Sequence, residues 1–144
     1  MTPRISIRVF LLSGSRLLGE ALARVLRNTT DILVVGTRSY SADAPTEIIE
    51  SACDVLLMDS VSCLALDSQV PENIRGSLPN LKVITIETDA NEATFSKVAR
   101  MGITCYLLKE VAVADVISAI RVAAEREAVN LHGARRYSRV TSVI

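Results

Sequence analysis

Residues 53–60 read Cys-Asp-Val-Leu-Leu-Met-Asp-Ser, four consecutive apolar side chains (Val55, Leu56, Leu57 and Met58) closed by the acid Asp59. A run this short and this apolar reads as a parallel strand buried on both faces, because a strand with one wet face would alternate. In an open parallel sheet, sites are built at the carboxyl ends of the strands, and Asp59 stands at one of them. What it can do there depends on the ends of its neighbours.

Upstream, Pro45 suits the first turn of a short helix through Thr46, Ile48, Ile49 and Ala52. Before it, Ile32 to Val35 reads as a short strand with a break at Gly36. The first strand is ISIRVFLL, residues 5–12, which begins by alternating, turns continuously apolar and stops at Ser13-Gly14-Ser15. Ser15 is placed to cap a helix from Arg16 to Arg27, where Leu18, Leu22, Val25 and Leu26 recur at helical spacing beside Ala21.

Downstream of Asp59, Pro71, Gly76 and Pro79 interrupt any long period and leave room for one short helix around Glu72 to Ser77. Lys82 to Ile86 is a β-branched strand ending in Glu87-Thr88, and Asp89-Ala90-Asn91-Glu92 opens a helix in the manner of a capping box, stopped by Gly102. Thr104 to Leu108 is a fifth strand ending at Lys109, and Ala112 to about Glu127 is a helix with Val116, Ile117, Ile120, Ala123 and Ala124 on its apolar side. Such alternation with short connections predicts an α/β fold, a doubly wound five-stranded parallel sheet of flavodoxin-like type, ordered 2-1-3-4-5, with helices on both faces.

The bulk numbers fit one domain. At 144 residues, 49% hydrophobic and 22% charged, the chain can bury a core, and its 16 basic and 16 acidic residues cancel. That balance excludes nucleic-acid or membrane binding by overall charge. Cys53, Cys63 and Cys105 form no C-x-x-C pair, which suits free thiols in the cytoplasm, and no residue supports them as nucleophiles. MTPRISIR, residues 1–8, carries no signal-peptide pattern, and no apolar run reaches the length of a membrane span. Residues 1–127 form the domain, and 128–144 read as a linker or C-terminal tail whose Arg135, Arg136, Tyr137 and Arg139 are a solvated basic segment before they are a nucleic-acid site. The single His132 has no partner at metal-ligand spacing.

The strand ends bring together Ser13-Gly14, Asp59-Ser60, Glu87-Thr88 and Lys109-Glu110. Asp-Val-Leu-Leu-Met-Asp, the β-branched strand after it and Gly-Ile-Thr-Cys-Tyr-Leu-Leu-Lys together resemble the receiver domain (CheY-like) of bacterial two-component response regulators, in the group that carries a LuxR-type helix-turn-helix. The likeness runs from Ile5 to about Glu127. It implies that Asp59 stands where a histidine kinase delivers a phosphoryl group, that Lys109 contacts that group, and that Tyr106 occupies the aromatic switch position. It also implies an acidic pair holding Mg²⁺ after strand one, and a Thr or Ser hydroxyl at the end of strand four.

Two positions depart from that pattern. Ser13-Gly14 stands where the acidic pair should be, and Glu87 replaces the hydroxyl, Thr88 lying one residue further on. Mg²⁺ needs oxygen ligands with at least one or two carboxylates, so its binding is expected to be weak or absent, and phosphoryl transfer would lose its main electrostatic support. A carboxylate at Glu87 would repel phosphate and compete for Lys109, with charge terms of about 4 kcal/mol at about 4 Å and an effective dielectric of about 20. The expected function is therefore an atypical or pseudo-receiver, not an enzyme, independent of phosphorylation and regulating transcription as a homodimer or through an effector domain, with DNA reached only by that other domain. The alternatives are a conventional receiver phosphorylated at Asp59, and a small-ligand-binding flavodoxin-like domain. Against the latter, Ser13-Gly14-Ser15 is too short for a Walker loop and lacks its lysine.

Overall fold

The computed structural model describes residues 6–59, 69–87, 105–108, 112–125, 135–138 and 142–143, with side chains at 6–59, 73–86 and 112–125. Strands β1 (Ile7–Leu12), β2 (Ile32–Arg38), β3 (Val55–Asp59), β4 (Lys82–Glu87), β5 (Cys105–Leu108), β6 (Arg135–Ser138) and β7 (Ser142–Val143) form one sheet in the order β2-β1-β3-β4-β5-β6-β7. The first five are parallel in the predicted order 2-1-3-4-5. Helices α1 (Arg16–Arg27), α2 (Ala44–Ser51), α3 (Gln69–Ser77) and α4 (Val113–Glu125) cover the two faces. The helix read from Asp89 to Gly102 lies outside the described residues.

β1 and β3 occupy the middle, so their side chains are buried on both sides. One face carries Val9, Leu11, Val55, Leu57, Ile84 and Ile86 against Leu22, Ala23 and Leu26 of α1 and Val116, Ala119, Ile120 and Ala123 of α4. The other carries Phe10, Leu12, Leu56, Met58 and Val83 against Ala44 and Ile48 of α2 and Ile74 of α3. The strand period of two thus sorts one continuous apolar run into two separate cores. Arg121 of α4 grips Asp31, before β2, with both Nε and an Nη at 2.9 Å, tying the last helix to the first crossover.

The β2 strand corrects the reading of Gly36 as a break. It continues to Arg38, and the register slips between Val9↔Val34 and Phe10↔Gly36, leaving Val35 as the extra residue of a bulge. Gly36 lies under the ring of Phe10, and a Cβ there would stand 2.7 Å from Phe10 Cδ2. The glycine is a site of close approach within the strand.

Arg8 secures the turn into β3. Its backbone N donates to Asp54 Oδ2 at 2.9 Å, while its guanidinium donates to the carbonyls of Ala52 (3.2 Å) and Ser51 (2.8 Å). Ala52 caps α2 in the left-handed conformation, φ 51°, which costs a side-chain-bearing residue about 1 kcal/mol. The Arg8 bonds hold it there.

Past α4, the stretch read as a linker or tail adds two strands. Arg135, Arg136 and Tyr137 pair in parallel with Cys105, Tyr106 and Leu107, and β7 folds back antiparallel to β6. No helix among the described residues is long and apolar enough to cross a membrane.

Two substitutions test this packing. Gly36→Ala is expected to lower stability by about 2 kcal/mol through overpacking against Phe10, read as a lower urea midpoint at unchanged m-value. In β4, Thr85 is fully buried, and its Oγ1 has no hydrogen-bond partner among the described residues. Thr85→Val keeps the branched shape and removes the stranded hydroxyl, so it should raise stability by about 1 kcal/mol, a rise of about 3 °C in the calorimetric midpoint.

Candidate functional site

Asp59 is the last residue of β3, and it is buried, with 5% of its surface accessible. It sits beside the loop that follows β1, because β1 and β3 run parallel in register from Val9↔Val55 to Leu12↔Met58. Ser13 continues that pairing on the other side, its N–H donating to Arg38 O at 3.0 Å. The first crossover therefore starts directly against the acid.

Two neutral donors meet the carboxylate on one oxygen. The Gly14 N–H donates to Asp59 Oδ2 at 2.7 Å, and the Ser13 hydroxyl lies 3.0 Å from the same atom. Ser13 Oγ also lies 2.9 Å from Ser15 O and accepts from Ser15 N at 3.0 Å. A hydroxyl has one hydrogen, and the carboxylate is the stronger acceptor. Ser15 then starts α1 as predicted, its Oγ accepting from Leu18 N at 3.2 Å. One turn of chain thus both caps the helix and holds the acid.

The floor of the site is apolar and closed. Beneath Asp59 a void of about 10 Å³, among Leu57, Met58, Leu22 and Ile86, lacks room for an ordered water of ordinary size.

The other predicted residues are placed by the backbone alone or fall outside the described residues. Glu87 is the last residue of β4, one beyond Ile86, the register partner of Asp59, so it occupies the strand-end position expected of it. Tyr106 lies in β5 between Thr85 and Arg136. The side chains of Glu87 and Tyr106, and all of Lys109 and Thr88, lie outside the described residues, as does the proposed Asp59-Lys109-Glu87 cluster. Among the described residues, no three His, Cys, Asp or Glu side chains gather in a way that could hold a metal ion. Cys53 is buried against the α2 end, and burial pushes its thiol up from its ordinary value, as befits an inert core thiol.

The sequence reading missed the groove between α1 and β2, a space of about 960 Å³ that opens beside Ser13. Its signal was the spacing of Arg16, Arg24 and Arg27, which places three guanidinium groups on one side of α1.

Comparison with known proteins fits this arrangement. No protein-family model matches the chain. The chain is 32% identical over 124 residues to the uncharacterized transcriptional regulatory protein YxjL of Bacillus subtilis, covering 85% of this chain and 56% of that one. It is 30% identical over 115 residues to the response regulator UvrY of Escherichia coli, covering 80% of this chain and 53% of that one. The chain therefore spans about half the length of these curated relatives. Among solved structures, the signal receiver domain of the putative response regulator NarL from Mycobacterium tuberculosis matches with a TM-score of 0.71 at 24% identity, over 85% of this chain and 99% of that one. The isolated receiver domain of RcsB from Salmonella enterica matches with a TM-score of 0.67 at 18% identity, over 86% and 92%. Over most of its length the chain is similar to these response regulators, and its fold is that of their receiver domains.

Ser13→Ala removes the hydroxyl from the carboxylate and from the Ser15 turn. Stability should fall by about 2 kcal/mol, measured by urea denaturation at pH 7, because a hydrogen bond to a buried charge is lost.

Proposed function

We propose that this receiver is the signalling domain of a LuxR-type response regulator and works without phosphorylation of Asp59 by the metal-dependent route. The observation that carries the reading is the pair of bonds from Ser13 Oγ and Gly14 N–H to Asp59 Oδ2. In the family pattern two carboxylates stand there and gather Mg²⁺. Here the same positions donate hydrogen bonds directly, and a neutral donor that satisfies the acid does not recruit a cation.

The described donor set does not fit Mg²⁺. One carboxylate faces the site, and one of its oxygens already accepts two hydrogen bonds, whereas the ion takes six oxygen ligands at about 2.1 Å in near-octahedral geometry. An incoming phosphoryl dianion would meet Asp59 without that neutralisation, which is the term phosphoryl transfer depends on. β4 ends at Glu87, the position where the family pattern has a hydroxyl for the phosphoryl group. In this reading Asp59 is a fixed structural acceptor that holds the β1–α1 loop in one conformation, Glu87 and Tyr106 are the switch-position equivalents, and Lys109 is the equivalent of the family's lysine, with no phosphoryl group to answer.

Regulation then passes through association with a partner or a second copy. α1 and α4 lie on the same face of the sheet, and Leu17 (80% exposed) and Val122 (37% exposed) leave apolar surface there for a homodimer. Relatives in this group include RcsB, whose structure has been solved as two dimers bound to DNA. DNA contact by this protein would come from an effector domain, with transcription as the output. The domain is a signalling module of the cytoplasm and has no catalytic residue of its own.

The test is incubation with Mg²⁺ and beryllofluoride or acetyl phosphate, followed by intact mass and amide NMR. The native chain should give no adduct and no shift at Asp59, and the double variant Ser13→Asp, Gly14→Asp should acquire saturable Mg²⁺ binding near Asp59. A stoichiometric adduct on the native Asp59 would establish the conventional phosphoacceptor instead.

A further inference from the structure

We infer that the groove between α1 and β2 is a binding site for a small polyanion of the phosphate-ester class, such as an oligophosphate or a nucleotide. The inference holds whether or not Asp59 takes a phosphoryl group. The groove has about 960 Å³ of space, the size of a small-molecule site. Its walls carry Arg16, Arg24 and Arg27 from α1 and Arg38 from the end of β2, against the single acid Glu20. A chain with no net charge concentrates a surplus of two positive charges here, those of Arg24 and Arg27, once the pairs of Arg16 with Glu20 and Arg38 with Glu47 are counted.

Helix electrostatics account for only part of this. Arg24 and Arg27 lie in the last turn of α1, where cations are favourable, but Arg16 is its first residue, where a cation is unfavourable and the first turn holds no acid. The arginines instead share the groove along the whole helix, about 18 Å long. Arg16 is paired with Glu20 at 2.9 Å, and Arg38 with Glu47 and with the Ser41 hydroxyl at 3.1 Å. Arg24 and Arg27 make no ion pair among the described residues. They are three residues apart, close enough on the helix to fork onto one phosphate or two adjacent ones.

The remaining walls favour the same ligand. Asn28, Thr37 and Ser39 offer amide and hydroxyl donors among the guanidinium groups, and among the described residues no large apolar side chain lines the space. Phosphate oxygens, each a strong acceptor, match such a lining better than an apolar or cationic molecule does. At one end the groove reaches Ser13, the residue that holds Asp59, so an occupant would adjoin the receiver's own site.

The experiment is titration of the ¹⁵N-labelled chain with sodium tripolyphosphate and, separately, with ATP, at about 0.15 M salt where weak surface attraction is screened. Saturable amide shifts are expected at 13–16, 23–28 and 37–39, with a Kd below about 1 mM for at least one of the two probes. Arg24→Gln with Arg27→Gln should weaken binding at least about tenfold while leaving the thermal midpoint in place, since both side chains are exposed. Absence of shifts with both probes, shifts scattered over other basic surfaces without saturation, or unchanged affinity in the double variant overturns the proposal. A short DNA duplex that shifts the same amides at lower concentration than either probe also overturns it, in favour of a nucleic-acid contact.

Discussion

β1 and β3 lie side by side with neither face in water, and that double burial governs the structure around them. Burying a Leu, Ile, Val or Met side chain stabilises by about 2 kcal/mol each, but only if both faces of the sheet are covered. A single helical layer over the opposite face would leave Phe10, Leu12, Leu56 and Met58 exposed. Two layers are therefore required, and crossing between them with right-handed connections yields the observed strand order. The same constraint delivers Ser13 and Asp59 to one point, because two parallel strands in register end together.

At that point, proximity is exploited with neutral groups. A carboxylate at the end of a buried strand must be solvated, paired or hydrogen-bonded. Here a backbone N–H and a hydroxyl perform that task for Oδ2, and both belong to the turn that starts α1. The acid, the loop and the helix cap consequently form one unit. Conformational change at Asp59 would have to disturb the beginning of α1, and the reverse also holds.

α1 thereby takes part in three things at once. Its inner side closes the core with Leu22, Ala23 and Leu26. Its N-terminal turn secures Asp59, and its flank against β2 gathers arginines around an open groove. The bidentate pair between Arg121 and Asp31 fixes α4 beside the same crossover. Both the groove and the α1–α4 face therefore adjoin the helix whose starting turn holds Asp59.

Much of this was legible in the linear chain. The apolar run ending at Asp59, the bounds of α1 from Arg16 to Arg27 and its Ser15 cap all follow from local pattern, because strand burial, helix period and capping depend on nearest neighbours in sequence, whereas the departure at Ser13-Gly14 shows only against the resemblance to receivers. Gly36 was misread as a break because its reason, the ring of Phe10 lying across it, sits on another strand. The arginine groove was missed for the same cause: the spacing of Arg16, Arg24 and Arg27 signals one wall, but Arg38 joins them only when β2 returns alongside α1. The strands β6 and β7 likewise depend on an available edge at β5, which no pattern within residues 128–144 encodes. Sequence alone determined which residues stand at the strand ends. Only the tertiary structure decided that Ser13 and Gly14 both close on a single oxygen of Asp59, because that bond joins atoms 45 and 46 residues apart and exists only once the two strands are paired.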